Sequence, residues 1–258
     1  GWGWGRLEDT LSLGIPAILT GYIIYLPFFI GFDSQAGGIV PNFMFVTRGA
    51  HLWVMWGTLL IPLFAYLTYL FIKRTPADWR AGIWTTFIIL FVLLAAMFAL
   101  AFLGLNLKPD VINSILESQE RDAGAFIADS FMRRLTYSGG LITLLALLIP
   151  ALSFLFSRRQ AATSDDQEQS ASENSPFVFL LIVLGALLIL GPDFLYLSDN
   201  FGYRINTVFK FSYQAWILLS LASAYGTAVL LRRLRGAANL VFSVMLALKI
   251  LHSDVKSE

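Results

Sequence analysis

Charged side chains gather in one stretch between two apolar runs, residues 191–226, which holds Asp193, Asp199, Arg204 and Lys210. Arginine offers a planar fork of donors that suits phosphate oxygens, and lysine adds a mobile positive charge. We therefore expect Arg204 and Lys210 to form a clamp for a phosphate carried at the bilayer surface. The alternative is an ion pair between an aspartate and Arg204 that only fixes the loop, since ionisable groups near a membrane usually pair.

Two carboxylates and one further cationic position extend this candidate site. An ionised Asp193 or Asp199 could hold a divalent cation or act as a base, although two carboxylates six residues apart are a weak signal. Arg48 precedes the second apolar run and could be another positive ligand or an interfacial anchor. The two histidines, His51 and His252, lack the spacing of a metal site, so a zinc enzyme is not expected.

The composition places these residues in a membrane protein. Hydrophobic residues make up 57% of the chain, charged residues only 14%, and the mean hydropathy is +0.70. Such values are not those of a soluble domain. The net charge of +1 gives no reason to expect a nucleic-acid partner, and the lack of cysteine excludes disulfides and thiolate metal sites. We predict a multi-pass protein of the cell membrane, in contact with membrane lipids.

The predicted fold is all-α, a polytopic transmembrane helix bundle in which residues 1–258 form one transmembrane domain. About 20 helical residues cross a hydrocarbon core of about 30 Å. Six spans are predicted, with a short seventh at Ala237–Leu251. The six are Leu11–Ile30, His51–Ile72, Ala81–Gly104, Thr136–Phe156, Pro176–Leu197 and Ser212–Leu231. Pro16 and Pro27 predict a kink or break in the first span.

Two polar segments separate the spans. Residues 158–175 are rich in Ser, Gln, Asp and Glu without an apolar period, which predicts a disordered cytoplasmic loop. The segment Val111–Leu135 has apolar residues at spacings of three and four among charged ones. This pattern predicts an extracytoplasmic interfacial or re-entrant helix that lies along the membrane surface or caps the bundle.

Lysine and arginine near the span ends predict the orientation, because basic residues are retained on the cytoplasmic side. Three connections carry them, and they alternate along the chain so that all three fall on one side. These residues are Lys73, Arg74, Arg80, Arg158, Arg159, Arg232, Arg233 and Arg235. The candidate site residues therefore face the extracytoplasmic side.

The run DNFGYRINTVFKFSYQAW, preceded by PDFLYL and followed by small residues ending in AYG, resembles the signature of the archaeal and Chloroflexus-type YYY membrane proteins. QAGGIV with Thr47 and Arg48 supports the resemblance more loosely, and together they extend it over most of Leu11–Leu231. Ser212 departs from the family pattern, which more often has an aromatic residue there. The family is similar in architecture to the GT-C glycosyltransferases, multi-span enzymes that use lipid-phosphate-linked sugars.

The resemblance implies that this chain is the C-terminal part of a longer protein, whose N-terminal half is a missing partner. The acidic catalytic residue of GT-C enzymes lies in an early extracytoplasmic loop, so the catalytic residue would be upstream of Gly1. The residues present would then hold the phosphate of a polyprenyl-phosphate sugar. Their implied roles are phosphate ligands for Arg204 and Lys210, hydrogen-bonding partners for Asn206 and Gln214, and orientation of Arg204 for Asp199.

A transporter or a non-catalytic membrane assembly subunit is the alternative function. A transporter places ionisable residues near the midplane of broken helices. Here the predicted spans are nearly free of charge and the charged residues gather in the outer loops, which favours an enzyme at the interface. Pro16 and Pro27 are the features that favour a transporter.

Overall fold

The computed structural model describes residues 4–31, 38–107, 123–157, 176–198 and 204–234. In this part of the chain there are seven α-helices and two short strands. The helices are α1 (Trp4–Gly31), α2 (Gly49–Ile72), α3 (Trp79–Leu107), α4 (Ala123–Thr136), α5 (Gly139–Leu155), α6 (Pro176–Leu190) and α7 (Ile205–Arg233), and the strands are β1 (Gly38–Pro41) and β2 (Leu195–Ser198). One 3₁₀ turn, Gly191–Asp193, joins α6 to β2.

The chain divides into two compact units, residues 1–37 and 38–258. The first contains α1, which continues as one helix through Pro16 and Pro27. The break that these prolines predicted is therefore not present. The second unit contains the other six helices and both strands.

In the second unit, α6 packs against α5 and α7, α2 packs against α5 and α7, and α3 lies outside the bundle against α5. Leucine dominates the core between them. Glycines allow close approach: a Cβ on Gly185 of α6 would lie 2.6 Å from Leu219 Cδ2 of α7. Small residues at helix contacts are typical of membrane bundles, because helices in lipid associate mainly through close packing.

The all-α transmembrane bundle is confirmed, with four helices among the described residues that are long and apolar enough to cross a membrane. These are α2, α3, α6 with its 3₁₀ turn, and α7. A fifth is present if α4 and α5, which meet at 65°, count as one broken span or re-entrant loop. The predicted loop at 158–175 and the predicted seventh span at Ala237–Leu251 lie outside the described residues.

Two helix boundaries differ from the predicted spans. α6 ends at Leu190 rather than at Leu197, where a 3₁₀ turn that contains Gly191 and Pro192 begins; Gly191 has a low helix propensity and Pro192 lacks the N–H for the next helical hydrogen bond. α7 begins at Ile205, seven residues before the predicted start at Ser212. Its first turns contain Asn206 and Lys210, whose polarity hid them from a search for apolar runs.

The sequence did not predict the two-stranded sheet. β1 and β2 are antiparallel, with Gly38 opposite Ser198 and Pro41 opposite Leu195. Strands this short are only marginally stable alone, and they are supported here by helices of the bundle. The pairing carries the segment after β1 past the end of α6, so residues far apart in sequence meet there.

Candidate functional site

Asp193 is the buried carboxylate around which the site is built. It occupies the last position of the 3₁₀ turn after α6, and its side chain is only 5% exposed. Among the described residues it is the one charged residue in the buried set. A carboxylate in such a place must be paired and hydrogen-bonded to remain ionised at tolerable cost.

Arg204 provides the opposite charge. Its Nη1 lies 2.5 Å from Asp193 Oδ1 and also donates to the Pro192 carbonyl oxygen at 3.2 Å. Arg204 occupies the N-cap position of α7, and its guanidinium lies 5.7 Å from the Phe45 ring centroid. With its side chain 16% exposed, Arg204 forms a mostly buried ion pair that joins the end of α6 to the start of α7.

Thr47 donates hydrogen bonds to both carboxylate oxygens of Asp193. Its hydroxyl donates to Asp193 Oδ1 at 2.7 Å and its backbone N–H to Oδ2 at 3.3 Å. Thr47 lies in the segment between β1 and α2, which is held by the buried side chain of Asn42. Asn42 Nδ2 donates to the carbonyl oxygens of Phe45 and Pro192, both at 2.9 Å, and its Oδ1 accepts from the Phe45 N–H at 3.0 Å.

α4 brings two adjacent arginines to the same place. Arg134 Nη2 donates to the backbone carbonyl oxygens of Asn42 at 2.6 Å and Asp193 at 2.8 Å, and its guanidinium lies over the Phe194 ring. Arg133 is exposed and donates to the Met44 carbonyl oxygen at 3.0 Å. Their two side chains thus attach α4 to the segment after β1 and to the end of α6.

The environment of Arg134 is unfavourable for its charge. α4 has 14 residues and is too short to cross the membrane by itself, so Arg134 lies outside the four spanning helices. The Arg134 guanidinium is partly buried, the carboxylate of Asp193 attracts it, and the positive charge of Arg204 repels it. The carboxylate of Asp193 therefore stabilises two guanidinium groups at once.

Close backbone packing holds α2 and α5 beside this network. A Cβ on Gly49 would lie 2.9 Å from the Gly139 carbonyl carbon, and one on Gly140 would overlap the Thr47 carbonyl oxygen. Arg48 is exposed, and its guanidinium lies 4.3 Å from the ring centroid of Tyr137, in the turn before α5. Four arginines among the described residues, at positions 48, 133, 134 and 204, therefore surround the Asp193 network.

Helix lengths indicate how deep the site lies. The 17 steps from Pro176 to Asp193, at 1.5 Å each, cover about 26 Å, close to a hydrocarbon thickness of about 30 Å. The end of α6 that carries Asp193 is therefore near one edge of the apolar layer. We call this side of the bundle the Asp193 end. The helix directions place Lys73, Arg74, Arg80, Arg232 and Arg233 at the opposite end.

The residues predicted to form the site are only partly brought together. Asp193 and Arg204 are in contact, and Arg48 lies in the same region. Lys210 and Gln214 are exposed on α7. At 100° per residue, positions 204 and 210 differ by about 240° around the helix and do not share a face. Asn206 is half-buried and makes an interaction of its own.

Asp199, the predicted partner of Arg204, lies outside the described residues, whereas Asp193 forms the ion pair in the described part of the chain. Three further contributors were not predicted as ligands of the aspartate, namely Thr47, Asn42 and Arg134. No local pattern marks the first two, because a single Thr or Asn before a span is ordinary. Thr47 and Asn42 are 146 or more residues away in sequence from the residues they contact at the end of α6, so only the fold brings them together.

The arrangement does not fit a divalent cation at Asp193. A cation there would have to replace hydrogen bonds from Thr47 and face the guanidinium groups of Arg204 and Arg134. Hard cations prefer several oxygen ligands. The described residues contain no group of three or more carboxylate or histidine side chains that could hold a metal.

The apolar helices and their packing define an integral, multi-span membrane protein. The chain belongs to the family described as Uncharacterized membrane protein (DUF2298), which matches residues 2–219. The match includes the Asp193 network and the outer half of α7. The searches of curated proteins and of solved structures found no match.

Proposed function

We propose that this chain is part of a GT-C-like membrane glycosyltransferase, and that its Asp193 end binds the phosphate of a polyprenyl-phosphate-linked sugar at the extracytoplasmic face of the cell membrane. The observation that carries the proposal is the concentration of arginine around one buried carboxylate. Positions 48, 133, 134 and 204 supply four positive charges around Asp193, and the described part of the same region adds one further carboxylate, Asp129, one turn before Arg133 on α4. Such an excess favours an anionic ligand.

The arginines divide into two groups by burial. Arg134 and Arg204 are engaged with Asp193 and with backbone carbonyls, so they hold the site together. Arg48 and Arg133 are exposed at the same end and carry the charge that a phosphate could reach. In the proposed site, Arg204 positions the network through Asp193 and does not bind the phosphate itself, whereas Lys210 is a phosphate ligand at the rim, with Asn206 and Gln214 as neutral hydrogen-bonding groups. The catalytic carboxylate would be supplied from another part of the protein.

The position of the charges supports an interfacial enzyme over a transporter. Asp193 lies about 26 Å along its span, near the membrane edge. The buried polar residues among the described spans, such as Thr86, Ser153 and Ser223, are uncharged. A transport pathway would place ionisable groups closer to the midplane.

The test is binding of a polyprenyl-phosphate analogue to the full-length protein in nanodiscs of neutral lipid. The variant Arg48→Gln/Arg133→Gln removes two exposed charges, and we expect affinity to fall about tenfold or more, since charge-assisted hydrogen bonds contribute about 1.5–3 kcal/mol each. The matched control, Lys73→Gln/Arg74→Gln, removes two charges at the opposite end and should bind normally. Equal affinity of the two variants, or no binding by the wild type, would refute the phosphate site.

A further inference from the structure

One face of α7, which we call its outward face, is exposed and apolar between residues 205 and 221. Apolar side chains that are more than half exposed recur along this face, whereas the opposite face is buried against α2 and α6. The exposed residues are Ile205, Phe209, Tyr213, Trp216, Ile217 and Leu221. The rings of Phe209 and Tyr213 are in edge contact, with centroids 4.8 Å apart. The outward face begins beside Arg204 and continues along α7 toward the middle of the membrane.

Two polar side chains interrupt this apolar surface. Lys210 and Gln214 are both exposed and lie one helical turn apart, and Ile217 and Leu221 continue the same line of positions at spacings of three and four. Gly191 is adjacent to the Phe211 ring, which places this turn level with the end of α6. Lys210 is therefore at the membrane edge, and Gln214 lies about 6 Å deeper.

A carboxamide that faces hydrocarbon loses its hydrogen bonds to water, so Gln214 is costly against ordinary acyl chains. A lipid with a phosphate at the membrane edge would provide acceptors for the Lys210 ammonium and the Gln214 amide. Its apolar chain could then lie on Ile217 and Leu221. The side chains along this line of α7 are first cationic, then polar and then apolar. This order is complementary to a lipid that has an anionic phosphate at one end and an apolar chain at the other.

We propose that the line Lys210, Gln214, Ile217 and Leu221, with the neighbouring rings of Phe209 and Tyr213, is the surface along which the isoprenoid chain of the phosphate-linked donor lies. The phosphate lies at Lys210 and the chain descends along α7. This inference rests on the proposed function, since it assigns the lipid part of the same donor.

The test uses a polyprenyl phosphate that carries a diazirine in its chain, photolysed with the full-length protein in phosphatidylcholine nanodiscs. Adducts are located by mass spectrometry. A control probe has the same chain with an alcohol in place of the phosphate. We expect phosphate-dependent adducts on the outward face of α7. Excess unlabelled polyprenyl phosphate should remove these adducts, whereas inorganic phosphate should not. Lys210→Gln should lower them about tenfold, and Lys210→Arg should restore them.

The outcomes separate the proposed chain-binding surface from the proposed function. Equal labelling of α7 by both probes would mean that this surface only faces bulk lipid, and would overturn the chain-binding proposal. Competed, phosphate-dependent adducts on other helices would also overturn it and leave the proposed function standing. If neither probe labels α7 but an engineered cysteine there cross-links to another helix, the surface is a helix contact. No competed adduct anywhere would refute both proposals.

Discussion

Replacing Asp193 by asparagine tests whether the ion pair with Arg204 holds the Asp193 end together. The carboxamide keeps the size of the side chain but removes its charge, leaving two guanidinium groups, on Arg204 and Arg134, without their counter-charge. Both partners of the ion pair are largely buried, with side chains 5% and 16% exposed. Removing one partner of a buried pair typically costs about 3–5 kcal/mol. Because Arg204 keeps some access to solvent, we expect about 2–4 kcal/mol for Asp193→Asn.

The measurement is unfolding of the protein in detergent micelles, in a double-mutant cycle with Arg204→Gln. If the two residues act as a pair, the double variant should lose less stability than the sum of the single variants, with a coupling of at least about 1 kcal/mol. Lys210→Gln, at an exposed position of the same helix, is the matched control and should change stability by less than about 0.5 kcal/mol. Additive single effects, or a loss below 1 kcal/mol for Asp193→Asn, would refute the reasoning.

Three further predictions concern the packing of the helix bundle, the hydrogen bonds of Asn42 and the orientation of the protein in the membrane. Gly140→Ala should lower the free energy of unfolding by about 1–3 kcal/mol, because the added methyl group overlaps the Thr47 carbonyl oxygen. Gly14→Ala is the control: it has open space around it and should be neutral or stabilising, and equal unfolding curves for the two variants would contradict this reasoning. Asn42→Ala should lower the free energy of unfolding by about 2–3 kcal/mol in the same assay, because its hydrogen bonds to Phe45 and Pro192 are lost from a buried position. Asn106→Ala, which loses one exposed hydrogen bond, is the control. Since the sequence has no cysteine, single cysteines at Arg74 and Arg133 can report sidedness: in intact cells an impermeant thiol reagent should label the second and spare the first, and the reverse pattern would invert the orientation.

The helices of this protein could be predicted from its sequence because membrane spans depend on local composition. The predicted spans at His51–Ile72 and Ala81–Gly104 fall within α2 and α3. The boundaries at α6 and α7 were wrong where polar residues continue a helix or a Gly-Pro pair ends an apolar run. The β1 and β2 pairing is non-local, since it joins segments more than 150 residues apart, and four-residue strands leave too weak a pattern to detect.

The candidate site was harder to predict for a related reason. Arg204 and Asp193 could be identified as unusual because charge beside an apolar run is rare. Their partners could not, because the contacts of Thr47 and Asn42 depend on tertiary structure that includes the pairing of β1 with β2. Arg134 falls within the segment Val111–Leu135, which was predicted to be amphipathic, but its hydrogen bonds to the backbone of residues 42 and 193 depend on where α4 docks.

The proposed orientation puts the arginines of the Asp193 end on the extracytoplasmic side, although basic residues are usually retained on the cytoplasmic side. The rule describes the positive charge of loops flanking the spans. At the Asp193 end, Arg204 is paired with a carboxylate, Arg134 and Arg133 donate to backbone carbonyls, and Arg48 lies over the Tyr137 ring. Lys73, Arg74 and Arg80 at the opposite end border a short connection, the arrangement to which the rule applies most directly. In the proposed orientation these arginines lie on the side that the rule disfavours and are held by a carboxylate-centred network, which is the arrangement expected if they bind the proposed anionic lipid headgroup.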